Sequence, residues 1–191
     1  MAGTNRKLAK TKSEAVAAAG KTPAIILIEP QLGENIGMVA RAMLNCGLSD
    51  LRLVRPRDGW PNKQAVGTAS GADIVLENAK LFETTEAAIG DLKFVYAATA
   101  RDRDITKEVV TPAQNAMEIR RLGGEGCGIL FGSEAMGLNN DDIALTSKIV
   151  MVPLNPGFTS LNLSQAVLLL AYEWFKLADE TPASELHMKD S

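Results

Sequence analysis

The stretch "PAIILIEPQLGENIGMVARAMLNCGLSDLRLVRP" (residues 23–56) reads as strand, helix, strand. Residues 23–30 are a short apolar run closed by Pro30, the pattern of a buried strand. In residues 35–47, Ile36, Val39, Ala40, Met43 and Leu44 recur at helical spacing, and Gly47 supplies a C-terminal cap. Residues 51–56, "LRLVRP", form the second strand. A helix placed between two strands in this way joins parallel neighbours.

The alternation continues along the chain. "KQAVGTASGA" (63–72) is a weak, small-residue helix, "AKLFE" (79–83) a strand and "TTEAAIGD" (84–91) a helical turn. "KFVYAATA" (93–100) is a strand, and "TPAQNAMEIRRLG" (111–123) a helix with proline near its first turn. "GCGILFGS" (126–133) is a strand, and "NNDDIALTS" (139–147) opens with helix-start residues. "KIVMVPL" (148–154) is the last strand and residues 161–178 the last helix. The expected class is α/β, a mostly parallel sheet with helices on both faces. Neither a repeat nor a second domain is evident.

The 191 residues suffice for one domain with a real core. We expect a flexible basic N-terminal arm (1–22), a globular domain (23–178) and a polar C-terminal tail (179–191). No stretch reaches 18 uninterrupted apolar residues, so no membrane span is expected. Cys46 and Cys127 fall inside apolar elements, which fits a reduced, cytoplasmic setting. The net charge of −3 weighs against a nucleic-acid partner, because phosphate binding favours a basic surface. Yet the cations are grouped: Arg6, Lys7, Lys10 and Lys12, then Arg52, Arg55, Arg57 and Lys63, then Arg101, Arg103 and Lys107. Solvated loop charges and phosphate contacts both fit that pattern.

The residue inventory narrows the chemistry. The single histidine, His187, lies in the tail, which argues against histidine-based acid–base work. Two cysteines without a nearby histidine make no zinc site. No phosphate-binding loop, dinucleotide fingerprint or nucleophile elbow is present. An enzyme built from this inventory works by positioning a reactive cofactor with Arg, Asn, Glu and Ser. Ligands of open parallel sheets bind at the carboxyl ends of strands. Four such ends carry unusual residues: "EPQLGENIG", "ATARDR", "GSEAMGLNN" and "PLNPGFTSLN".

Three segments, "PQLGENIGMVARAMLNCG", "ILFGSEAMGLNN" and "VPLNPGFTSLNLSQAVLLLAYE", resemble the signature motifs of the SPOUT superfamily of RNA methyltransferases. The likeness is nearest to the ribose 2′-O-methylating branch and its TrmJ-type tRNA enzymes, and it covers roughly residues 23–178. It implies a deep C-terminal trefoil knot, S-adenosylmethionine as methyl donor, tRNA as substrate, no metal, and a homodimer. Other RNAs, such as ribosomal RNA, and a non-catalytic RNA-binding role remain as alternatives. Carried over by motif, the cofactor contacts are Ala98, Thr99, Ala100, Gly132, Val152, Pro153, Ser160, Leu161 and Asn162. The implied catalytic set is Arg41, Asn35, Glu134, Ser160 and Asn162. Arg41 lies in a strip with Gly37 and Asn45, the glycine clearing space beside it. The family treats this arginine as catalytic. A protonated guanidinium has no acceptor, so stabilising charge on a ribose 2′-oxygen suits it better than abstracting a proton. Asn35 reads as a helix N-cap or as a support for the site, and Asn162 and Ser160 as caps for the last helix or as contacts.

Two further expectations concern the end of the chain. TrmJ-type enzymes usually carry a further C-terminal RNA-binding extension, whereas this sequence stops about a dozen residues past its last helix. That helix is apolar around most of its circumference. Leu163, Ala166, Val167, Leu170, Ala171, Trp174 and Leu177 form one stripe, and Leu161, Leu168, Tyr172 and Phe175 another. A dimer interface would cover the second stripe.

Overall fold

The computed structural model describes residues 2–5, 11–18, 21–100 and 106–188. In chain order the elements are β1 (Gly3–Asn5), α1 (Lys12–Ala18), β2 (Ala24–Ile28), α2 (Gly33–Asn45), β3 (Leu51–Val54) and α3 (Lys63–Thr68). Then follow α4 (Asp73–Glu77), β4 (Lys80–Phe82), α5 (Thr85–Ile89), β5 (Phe94–Ala98), β6 (Val109–Val110) and α6 (Pro112–Arg121). The chain continues with β7 (Cys127–Phe131), α7 (Asn140–Ala144), β8 (Lys148–Val150), α8 (Leu163–Lys176) and β9 (Leu186–Met188). Seven strands form one sheet in the order β4-β3-β2-β7-β5-β8-β6, and every pairing in it is parallel.

Side-chain alternation divides the core between the two faces. Ile25, Leu27, Leu51, Leu53, Tyr96, Ile129 and Phe131 point toward α2, α3, α4, α6 and α8. Ala24, Ile26, Val95, Ala97, Leu130 and Ile149 point the other way, toward Ala88 of α5 and Ile143 of α7. Because both faces are covered, the central strands are apolar throughout and the sheet is all parallel. α8 packs against both α2 and α6. Its first apolar stripe is core, with Leu163, Val167, Leu170, Ala171 and Trp174 buried. Leu168, Tyr172 and Phe175 of the second stripe are exposed, and so are Leu169 and Leu177.

The α/β class and the order of the main elements agree with the sequence reading. α4 and the two-residue β6 were not anticipated, being too short to show a period. The stretches read as a flexible arm and a polar tail contain β1 and β9, which pair antiparallel, Thr4 opposite His187. The basic residues Arg6, Lys7 and Lys10 lie outside the described residues.

Candidate active site

A cavity of about 290 Å³ opens where β5, β7 and β8 end. Thr99 N–H donates to Val150 O at 3.2 Å, tying the chain after β5 to β8. β7 is followed by Gly132, where a Cβ would overlap the backbone of Gly137 and Leu138. Gly137 itself sits at φ 67°, in the left-handed region, and its N–H donates to Ser133 O at 2.9 Å. The loop 132–138 therefore closes tightly on itself and needs glycine at both ends. The third wall is the segment from β8 to α8, which finishes in a capping box. Asn162 Oδ1 accepts from Gln165 N at 2.8 Å, and Asn162 N–H donates to Gln165 Oε1 at 3.2 Å.

The structure gathers most of the expected cofactor contacts here. Ala98, Thr99, Ala100, Gly132, Val152, Leu161 and Asn162 line the cavity; Pro153 and Ser160 are exposed and do not. Leu154, Thr159, Leu163, Ala166 and Leu170 also line it and were missed. Helical spacing had placed Leu163, Ala166 and Leu170 on one stripe, and the sequence does not show that the first turns of that stripe look into a cavity. The lining suits S-adenosylmethionine. Small and aliphatic walls accept a flat base. Between described residues, the backbone of Val152–Leu154 and Thr159–Leu161 makes no hydrogen bond, which leaves groups for a ligand's polar edges.

Glu134 ties two motifs together. Its carboxylate accepts from Gln31 N at 3.0 Å, from Leu32 N at 3.0 Å and from the Asn35 side-chain amide at 2.7 Å. α2 has Leu32 as its N-cap, with no side-chain cap of its own, so Glu134 places an anion at that helix start from a distant loop. Burial pushes the Glu134 carboxyl up, but hydrogen bonds from Gln31, Asn35 and Leu32 outweigh it and hold the group below the ordinary carboxylate range. Asn35 is thus not the N-cap. It sits in the first turn of α2 and orients Glu134.

Arg41 is exposed on α2 and does not line the cavity. Gly37, one turn earlier, is buried: a Cβ there would overlap Ala65 O and Thr68 Oγ1. The glycine admits α3 against α2 and does not clear space for Arg41, which corrects the expected strip.

The basic groups differ in accessibility. Arg52 is buried, bonded to Asp50 at 3.0 Å, Asp91 at 2.5 Å and Ala88 O at 2.8 Å, so it cannot be a surface contact for RNA. Burial opposes the charge on Arg52, but the two aspartates more than compensate, and it stays firmly protonated. Arg55 pairs with Glu29 at 2.8 Å and Arg57 with Asp58 at 3.0 Å, both exposed. Arg101 and Arg103 lie outside the described residues. Among the described residues no helix is long and apolar enough to cross a membrane and no metal-binding cluster occurs.

Comparison with known proteins gives a family match to "SpoU rRNA Methylase family" over residues 22–172. A tRNA (cytidine-2′-O-)-methyltransferase TrmJ of Methanocaldococcus jannaschii is 34% identical over 170 residues, covering 87% of this chain and 73% of the relative. A tRNA (cytidine/uridine/adenosine-2′-O-)-methyltransferase TrmJ of Pseudomonas aeruginosa is 38% identical over 152 residues, covering 78% of this chain but only 58% of the relative. Among solved structures, TrmJ from Z. mobilis ZM4 matches with TM-score 0.80 and 59% identity, over 85% of this chain and 72% of that one.

Proposed function

The chain belongs to the SpoU rRNA methylase family, and on that premise we propose that it transfers a methyl group from S-adenosylmethionine to a ribose 2′-oxygen of tRNA. The observation that carries this reading is the cavity at the ends of β5, β7 and β8, walled by seven of the nine residues that the family resemblance assigns to its cofactor. The relatives named as tRNA 2′-O-methyltransferases support the substrate.

The bound cofactor supplies an electrophilic methyl group on a sulfonium. The chain's own residues do the rest. Ala98, Ala100, Leu161, Ala166 and Leu170 exclude water from the cavity, and the backbone around Val152–Leu154 and Thr159–Leu161 orients the donor. Glu134 fixes the loop 132–138 against the start of α2 through Asn35. Arg41 holds the acceptor 2′-oxygen and stabilises its developing charge. Ser160 and Asn162 position the acceptor beside the cavity. The trefoil knot belongs to this reading, with the segment before α8 as its threaded part.

Arg41 stands outside the cavity of its own chain, so the reading includes a homodimer. The exposed stripe of α8, with Leu168, Tyr172 and Phe175, is the interface, and Arg41 of a second copy completes each site. RNA contacts fall to the exposed Arg57 and to Arg101 and Arg103. The work is cytoplasmic, where Cys46 and Cys127 stay reduced. The test is mass spectrometry of RNA from cells with and without the protein. Loss of one 2′-O-methylated nucleoside from tRNA is expected. Loss from ribosomal RNA alone overturns the substrate, and no loss from any RNA overturns the reading.

A further inference from the structure

We propose that a second cavity, beside the methyl-donor cavity, holds the nucleobase adjacent to the methylated nucleotide, and that Glu29 and Arg57 read its edge. This rests on the RNA-methylating reading above. The second cavity measures about 680 Å³ and opens at the carboxyl ends of β2 and β3. Ile28, Leu138 and Met136 give it an apolar side, and Glu29, Gln31 and Arg57 a polar one. Ser133, Gly137 and Leu138 line both cavities, so a single loop is their common wall. An RNA strand presenting a ribose at the first cavity lies one loop's width from the second.

The rim is built and stiff. β2 is followed by Glu29 at φ 49° and β3 by Arg55 at φ 44°, two non-glycine residues in the left-handed region, each preceding a proline. Such conformations persist where their surroundings over-determine them, and they gather at ligand-binding sites. Here two ties hold them. Arg55 Nη2 donates to Glu29 Oε1 at 2.8 Å, and Arg57 N–H donates to Pro30 O at 3.0 Å. Arg55 is spent on this frame, since its Nη1 donates to Glu83 O at 2.6 Å. Asp142, on the cavity floor, is buried and accepts from Thr85 Oγ1 at 2.8 Å.

Between described residues, Glu29 Oε2 and Arg57 Nη1 make no hydrogen bond. An acceptor and a donor therefore stand free on one rim. A phosphate would meet the Glu29 carboxylate unfavourably. A splayed-out base presents both donors and acceptors on its edge and an apolar face for Met136, which is 67% exposed.

The test uses a stem–loop containing the mapped target nucleotide, with the neighbour on each side made abasic in turn. One abasic neighbour should raise the wild-type KM about tenfold at unchanged kcat. Arg57→Ala should raise KM similarly on intact RNA and add nothing further on the abasic RNA. Arg57→Lys should restore only part of the loss, since an ammonium lacks the guanidinium fork. Penalties that multiply, an abasic neighbour without effect on either side, or a loss confined to kcat would each overturn the proposal. If the wild type methylates no intact RNA, the parent reading fails and takes this one with it.

Discussion

Arg41, Glu134 and Arg52 each make a separate demand on the account. Arg41→Ala should lower methyl transfer by roughly 10²–10³ and leave S-adenosylhomocysteine affinity at the wild-type value, because Arg41 does not line the donor cavity. Calorimetry beside a transfer assay reads both quantities, and turnover at the wild-type rate would remove Arg41 from the mechanism. Glu134 predicts a pH effect. Its carboxyl is depressed in the folded state, so it contributes stability above the ordinary carboxylate range and loses it as pH falls through the folded value. Urea titrations should show Glu134→Gln less stable than wild type near neutrality and indistinguishable from it in strong acid. A gap that persists in acid would mean the charge is not what Glu134 contributes. Arg52 is the contrast among the basic residues. Arg52→Ala should cost roughly 1–3 kcal/mol of stability, because it leaves the buried Ala88 O without its donor and removes the bonds to Asp50 and Asp91, and should leave the salt dependence of tRNA binding unchanged.

At the scale of elements, α8 joins the donor cavity to the proposed dimer face. Its N-terminus closes the donor cavity through Asn162, its buried stripe packs on α2 and α6, and its second stripe is exposed, the face proposed for the dimer. Tyr172→Glu or Phe175→Glu should yield a folded monomer by sedimentation equilibrium, with methyl transfer lost because Arg41 of a second copy is gone. A dimer that withstands both substitutions would place the interface elsewhere. The period of α8 was legible in the sequence, as was its cap. Its division into core, cavity and exposed thirds was not, since periodicity says which residues share a face and not what each face meets. The same limit explains Gly37 and Arg52. Composition makes a glycine mid-helix and an arginine in a strand conspicuous. Only packing shows that α3 crosses at the first, and that the second lies under α5 between two aspartates.

For the whole molecule, strand–helix alternation was enough to anticipate the parallel sheet, and the three motifs pointed to the strand ends where the cavity lies. The order of strands, which brings β7 between β2 and β5, was beyond reach of local pattern because it depends on long-range pairing. Two neighbouring cavities at the carboxyl ends of its strands follow from this order, and the loop 132–138 is the wall between them. The central claim is that this arrangement methylates ribose. The direct measurement is incubation of the purified chain with tRNA and methyl-labelled S-adenosylmethionine, followed by nuclease digestion and mass spectrometry of the nucleosides. The account predicts label on the 2′-oxygen of one nucleoside, at a rate reduced roughly 10²–10³-fold with Arg41→Ala. Label on a base, or no label from a folded dimer that binds S-adenosylhomocysteine, would contradict it.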